Sequence, residues 1–231
     1  DLRGKRIGVP EYHMTAALFA KGMLSDEYGV RAEDVRWVQG GLHRPGRVER
    51  MPLDLPSNIE LVVERERTID QMLVDGELDA LITAEEPKGF VEGAPGVRRL
   101  FPDPRAAELD YFSRTRIFPI MHTLAIRKEL LAANPWIAKS LNDAFEQAKR
   151  VCYSRMMEGG GGVLPIMLPF LRHEFEATQR MMGDDYWPYG VSANRDVLEA
   201  AVRYSHEQGL SKRLVRVEEL FAASTLDEHR D

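Results

Sequence analysis

The chain has 231 residues, 44% hydrophobic and 29% charged, enough for one large domain or two small lobes with a real core. A net charge of −6 speaks against a nucleic-acid binder, although a local Arg cluster can hold a small anion whatever the total. No run approaches the roughly 20 apolar residues of a membrane span, and one cysteine, Cys152, excludes an internal disulfide.

Arg6 to Val9 is a short apolar strand ending at Pro10, and a helix follows from about His13 to Tyr28. Met14, Ala17, Leu18, Leu24 and Tyr28 mark its inward face, and Gly29 is its stop. Val35 to Val38 is a second strand. Residues 40–58 carry three Pro and three Gly and form a long loop. Ile59 to Val63 is a third strand. Thr68 and Gln71 make a capping box for a helix ended by Gly76, and Ala80 to Thr83 is a fourth strand. This alternation is an α/β pattern. Residues 85–104 read as irregular. Pro119 to Ile126 is one more apolar strand, and the chain beyond it is nearly all helix. Asn134-Pro135 is a helix start, with Ile137, Leu141, Ala144, Phe145, Ala148 and Cys152 facing inward. Gly159 to Gly162 breaks that helix, and others are expected over 165–182, 195–208 and 217–223.

Two parts emerge, an α/β lobe over 1–117 and a helix-rich half over 118–231. The second part holds too few strands for a sheet of its own. Asp1 is not Met, no apolar leader precedes the first strand, and Asp-Leu-Arg-Gly-Lys runs straight into it. The expectation is that upstream residues are missing and that no export signal is visible, which puts the protein in the cytoplasm. There is no zinc-spaced Cys/His cluster, no P-loop and no G-x-S-x-G elbow. The Met pairs at 156–157 and 181–182 are helix-face filler.

Several segments together resemble the 4,5-dihydroxyphthalate decarboxylase family: Gly8-Val9-Pro10-Glu11-Tyr12-His13-Met14-Thr15-Ala16, Gly40-Gly41 with Pro45-Gly46-Arg47, Gly76-Glu77-Leu78-Asp79-Ala80-Leu81, Arg99-Leu100-Phe101-Pro102-Asp103, Arg114 to His122 (RTRIFPIMH), Asn134-Pro135-Trp136 and Trp187-Pro188-Tyr189-Gly190. The resemblance implies the two-lobed fold of type II periplasmic solute-binding proteins. In that fold 1–117 is the second lobe, and 118–231 is a crossing strand and return segment completing the first. It also implies a small aromatic carboxylate as ligand, with no metal and no organic cofactor needed, and it leaves a homo-oligomer open.

In the implied reaction a ring carbon bearing a carboxylate accepts a proton, and carbon dioxide leaves. The site then needs a proton donor, cations for the carboxylates and an acceptor at the phenols. The corner Glu11-Tyr12-His13-Met14-Thr15 lies where a strand meets a helix, where backbone N–H groups favour anions. His13 and His122 are the expected acids, since histidine titrates near neutral pH, and Glu11 is an acceptor for a phenol proton. Tyr12 and Thr15 are expected to touch the substrate. Arg114 and Arg116, two apart in a stretch taken as extended, would share one side and fork onto carboxylates. Arg47 is a further cation, and Trp187 with Tyr189 would wall a flat ring. Against each stands a plainer role: a helix cap, a surface cation, a core histidine, an aromatic plug between helices. The rivals to the enzyme are the solute-binding component of an ABC-type uptake transporter for an organic anion, and a ligand-sensing regulatory domain.

Overall fold

A computed structural model of the chain describes residues 2–157 and 168–226. The expected Gly159–Gly162 break lies outside them. The chain divides into two units: Asp1–Met121 with Glu199–Arg216, and His122–Leu198 with Val217–Asp231.

The first unit is α/β. Strand β1 (Arg6–Val9) is its centre, with Ile7 and Val9 fully buried. It pairs in parallel with β2 (Arg36–Gln39) on one side and β4 (Ala80–Leu81) on the other. Strand β3 (Glu60–Val63) extends the sheet past β2, also in parallel, giving the order β3-β2-β1-β4. Parallel neighbours need crossover connections. Helix α1 (Thr15–Tyr28) lies between β1 and β2, and α2 (Ile69–Val74) between β3 and β4. Because the chain builds outward from β1 through β2 to β3 and then returns to the far side of β1, the connections diverge between β1 and β4. Open sheets of this kind bind ligands at the carboxyl ends of their strands, at that point of divergence.

Gly29 ends α1 as its sequence position suggests. Its φ of 63° is left-handed, its N–H donates to the Ser25 carbonyl at 2.9 Å, and the Val30 N–H reaches the Leu24 carbonyl at 3.0 Å. The buried face of α1 differs from expectation. Ala17, Phe19, Lys21 and Gly22 are buried, whereas Tyr28 is 54% exposed. The reason is a second neighbour besides the sheet, the later part of α8 (Arg195–Glu207), which belongs to the first unit from Glu199 onward. Tyr204 lies edge-on to Phe19 at 6.0 Å, its hydroxyl donates to Asp26 Oδ2 at 2.6 Å, and the Arg203 guanidinium forks onto the same carboxylate at 3.0 and 2.6 Å. Thr68 does cap α2, accepting from the Gln71 N–H at 3.2 Å, but the Gln71 side chain turns to Asp75 instead of closing a box.

Residues 85–104 and beyond are more regular than expected. A short helix α3 (Lys88–Val91) precedes α4 (Pro104–Thr115), which starts on Asp103, whose carboxylate accepts the Ala106 N–H at 3.0 Å. The stretch with Arg114 and Arg116 is therefore not extended. Arg114 is in the last turn of α4, and Arg116 is its left-handed cap with φ 57°. Residues 119–126 do not join the sheet, whose strands among the described residues are β1 to β4.

The second unit is helical: α5 (Lys128–Ala133), α6 (Ile137–Met157), α7 (Leu171–Met182) and the start of α8. Asn134 does not cap α6. It closes α5, its side-chain amide donating back to the Leu130 carbonyl at 3.3 Å, and α6 begins after Pro135 and Trp136. The inward stripe of α6 is also rotated from expectation. Ala138 and Lys149 are buried, whereas Phe145 and Cys152 are exposed. Lys149 is the cause. Its ammonium donates to both Asp185 oxygens at 2.9 Å and to the Trp187 carbonyl at 3.2 Å, and this drawn-in cation turns its side of the helix inward. The region expected as a helix over 217–223 holds two short 3-10 turns, Val217–Glu219 and Ala223–Thr225. No helix among the described residues is long and apolar enough to cross a membrane.

Candidate active site

The corner between β1 and α1 sorts its side chains by direction. Tyr12 points into the core and is 0% exposed. Its ring lies edge-on to Trp37 at 5.7 Å, and its hydroxyl donates to the Gln208 carbonyl at 3.2 Å. Burial pushes the phenol's pKa above its ordinary value. The expectation that Tyr12 touches a ring ligand therefore gives way to a structural role, because no surface of this side chain is available. The buried Lys21 donates to the Tyr12 carbonyl at 2.7 Å and lies over the Tyr12 ring at 3.1 Å, holding the corner from inside. Burial drives the Lys21 pKa well down, opposed by the negative charge of Glu49.

Glu11 and His13 face another group of residues, supplied by the loop after β2. Arg47 forks onto Glu11 Oε1, through Nε at 2.8 Å and Nη2 at 2.6 Å. The His13 Nδ1–H donates to Glu49 Oε2, and His13 Nε2 lies 3.6 Å from Glu11 Oε2. The other oxygen of Glu49 accepts the Tyr12 backbone N–H. Gln39, the buried last residue of β2, completes this set with its amide oriented to donate to Glu49 Oε1 at 2.9 Å and accept the Glu49 N–H at 3.1 Å. Glu11, His13 and Glu49 each offer a donor atom within 4.8 Å of the others, a grouping compatible with a metal ion.

Beside this group lies an open cavity of about 560 Å³, lined by Pro10, Met14, Gly41 to Arg47 and Thr83 to Glu85. It sits past the carboxyl ends of β1, β2 and β4, where the sheet's connectivity places a ligand, and its size suits a small aromatic acid (such pockets span about 300–1,000 Å³). His43, Arg44 and Arg47 give it a cationic side, and Glu85 stands opposite, 3.8 Å from His43 Nε2. His43 Nδ1 is buried and has no protein partner. Leu42 anchors the loop by packing with Ile69, Met72 and Leu78. Thr15 is the first residue of α1, where it does not act as the cap, since Met14 holds that position.

The remaining expected residues lie elsewhere. Arg114 pairs with Glu27 at 2.7 Å and Asp110 at 2.9 Å. Glu27 is in the last turn of α1, about 20 Å from the His13 end at 1.5 Å of rise per residue. Arg114 and the corner thus do not converge, because an acidic pair at the far end of α1 takes the guanidinium. Arg116 lies over the Phe112 ring at 4.5 Å. His122 is exposed in irregular chain of the second unit. Trp187 and Tyr189 belong to that unit too, where the Lys149 ammonium sits 4.8 Å from the Tyr189 ring and holds the Trp187 carbonyl, so the turn is docked on α6. Glu49, Gln39, Lys21, His43 and Arg44 were not expected from the sequence. His43 alone carried a signal, an imidazole in a Gly/Pro loop directly after a strand.

No family model matches the chain. Two curated relatives do. A 4,5-dihydroxyphthalate decarboxylase from Comamonas testosteroni is 41% identical over 228 residues, spanning 98% of this chain and 68% of the relative. The chain belongs to the 4,5-dihydroxyphthalate decarboxylase family. A second protein of that name, from Pseudomonas putida, is 44% identical over 114 residues, 48% of this chain and 44% of the relative. Family membership favours a carboxy-lyase over a transporter component.

Proposed function

We propose that the chain is a carboxy-lyase removing one carboxylate from a dihydroxylated phthalate, in the manner of 4,5-dihydroxyphthalate to 3,4-dihydroxybenzoate. The 41% identity to the Comamonas testosteroni decarboxylase, along 98% of the chain, carries this reading. The cavity's chemistry supports it. A ring with two adjacent carboxylates needs charge-assisted donors, and Arg44 and Arg47 supply them. Protonation at the carbon bearing the departing carboxylate lets ring electrons, pushed from the para hydroxyl, accept the proton. The C–CO2 bond then breaks, its electron pair restores aromaticity, and carbon dioxide leaves. His43 lines the cavity and is the proposed proton donor, a role worth about 10²–10⁴-fold. His122 is the alternative donor.

The parallel sheet and its strand-end cavity support reading 1–117 as the second lobe of a two-lobed binding-protein scaffold, with 118–231 as the return segment. Exposed Trp136 and Phe145 support assembly of identical chains, which light scattering tests, and cell fractionation tests the expected cytoplasmic site. Incubation of the protein with 4,5-dihydroxyphthalate is expected to release one carbon dioxide per ring. Binding without release would end the decarboxylase reading. Arg47→Ala is expected to raise KM about tenfold or more, the worth of a charged hydrogen bond. His43→Ala is expected to lower kcat with KM little changed. If His122→Ala does so instead, His122 is the donor.

A further inference from the structure

We propose that Glu11, His13 and Glu49 form a binding site for one divalent first-row transition cation. The donor atoms come from two segments, the β1–α1 corner and the loop after β2, and lie within 4.8 Å of one another. Around a cation with ligand bonds of about 2.0–2.2 Å, donors stand some 3 Å or more apart; Glu49 Oε2 faces His13 Nδ1 and Glu11 Oε2 faces Nε2, so the imidazole turns for one nitrogen to meet both oxygens at the ion. Each carboxylate is already held from outside by its Oε1 atom, Glu11 by Arg47 and Glu49 by the Tyr12 N–H and Gln39, which leaves both Oε2 atoms directed at the His13 ring. Outer partners that fix ligand orientation in this way are a regular part of metal sites.

Charge points the same way. The Glu11 and Glu49 side chains are only 7% and 11% exposed, and two buried carboxylates require compensation. Arg47 supplies one positive charge. Lys21 packs against the same corner, but its Nζ is directed at the Tyr12 carbonyl at 2.7 Å, and burial disfavours its charged form. A cation takes the place of the hydrogen between His13 Nδ1 and Glu49 Oε2: the imidazole keeps its one proton, moved to Nε2, and Nδ1 and Oε2 each donate a lone pair to the ion. Two oxygens and one imidazole nitrogen, with no thiolate, suit manganese, iron, cobalt or zinc better than the all-oxygen preference of calcium or magnesium. Pro10, Met14 and Arg47, next to these ligands, line the strand-end cavity.

The test uses no aromatic substrate, so its outcome is separate from that of the decarboxylation assay. The full chain, stripped with a chelator, is titrated with Mn2+ while free Mn2+ is read by electron paramagnetic resonance, and Zn2+ is added in competition. One ion per chain is expected, with a rise in Tm. Glu49→Gln is expected to weaken binding at least about 100-fold. His13→Gln, at a side chain 20% exposed, keeps both carboxylates and removes the nitrogen, with circular dichroism confirming the fold. It is expected to weaken binding comparably. No stoichiometric Mn2+ or Zn2+ binding by the wild type, or wild-type affinity in a folded His13→Gln, overturns the proposal and leaves a cluster joined by a proton.

Discussion

Gly41 has no room for a side chain. A Cβ added there would lie 1.6 Å from the Arg44 carbonyl oxygen, a backbone atom that cannot swing aside. The neighbouring chain is also tied. The Gly41 carbonyl accepts the Ile69 N–H at 3.0 Å, and the Gly40 N–H donates to the Val9 carbonyl at 3.1 Å. Gly41→Ala must therefore move the loop bearing His43, Arg44 and Arg47 away from the strand ends. A displacement near 1 Å in a positioning segment costs about 100-fold in rate, whereas overpacking at one site costs about 1–3 kcal/mol in stability. The expected outcome is a folded protein with kcat/KM for 4,5-dihydroxyphthalate about 100-fold down. Wild-type kinetics with a lowered Tm would show that this loop does not handle the ring.

In the second unit, helix α6 is fastened by one buried cation. Lys149 holds Asp185 and the Trp187 carbonyl, and Tyr153 adds its hydroxyl, accepting the Trp187 N–H at 2.9 Å. Removing the cation leaves a carboxylate that is 45% exposed and can turn to water, so the loss falls between that of a surface pair and a buried one. Lys149→Ala is expected to cost about 2 kcal/mol in urea unfolding, and an unchanged midpoint would remove Lys149 as the fastener. This same residue explains why the inward face of α6 was illegible. Apolar periodicity selects Phe145 and Cys152, and a buried lysine does not register as core. The α/β alternation was legible because short apolar stretches, Ile7 to Val9 and Trp37-Val38, are bounded by Pro10, Gly29 and Gly40. Cap signals were legible only in part. Gly29 ends α1 and Thr68 caps α2, while Asn134-Pro135 starts no helix, because Asn134 turns back to α5. At the site, strand-end position exposed Glu11, His13 and Arg47. Glu49, Gln39 and Arg44 gave no sign, since partners across a loop of 40–58 follow no period. Arg114 misled because its acidic partners, Glu27 and Asp110, became visible only once α1 and α4 were placed.

Across the whole molecule, protonation equilibria lean one way below pH 10. Hydrogen bonds from Arg203 hold the Asp26 pKa below the ordinary carboxylate value, Lys212 does the same for Asp54, and the Arg6 backbone N–H for Asp79. In each case the unfolded chain binds more protons through the acid range, so stability is fully present above the ordinary carboxylate pKa of about 4 and is lost as pH falls through the lower folded values. Asp26 takes the most charge-assisted donors of the three, a forked Arg203 guanidinium with the Tyr204 hydroxyl beside it, whereas Asp54 is 85% exposed and its share is the one that salt screens most. Lys21 extends the trend upward. Its folded pKa is depressed by burial, so between that lowered value and the ordinary 10.5 the unfolded chain again binds the extra proton and stability rises with pH. Tm is therefore expected to fall below about pH 4 and to climb with rising pH between the lowered Lys21 value and the ordinary one. Asp26→Asn should flatten the acid fall, and Lys21→Met the alkaline climb. A Lys21→Met protein whose Tm climbs as steeply as the wild type's above pH 7 would mean that the amine is charged in the folded state, and with it the charge argument for a cation between Glu11 and Glu49 would weaken.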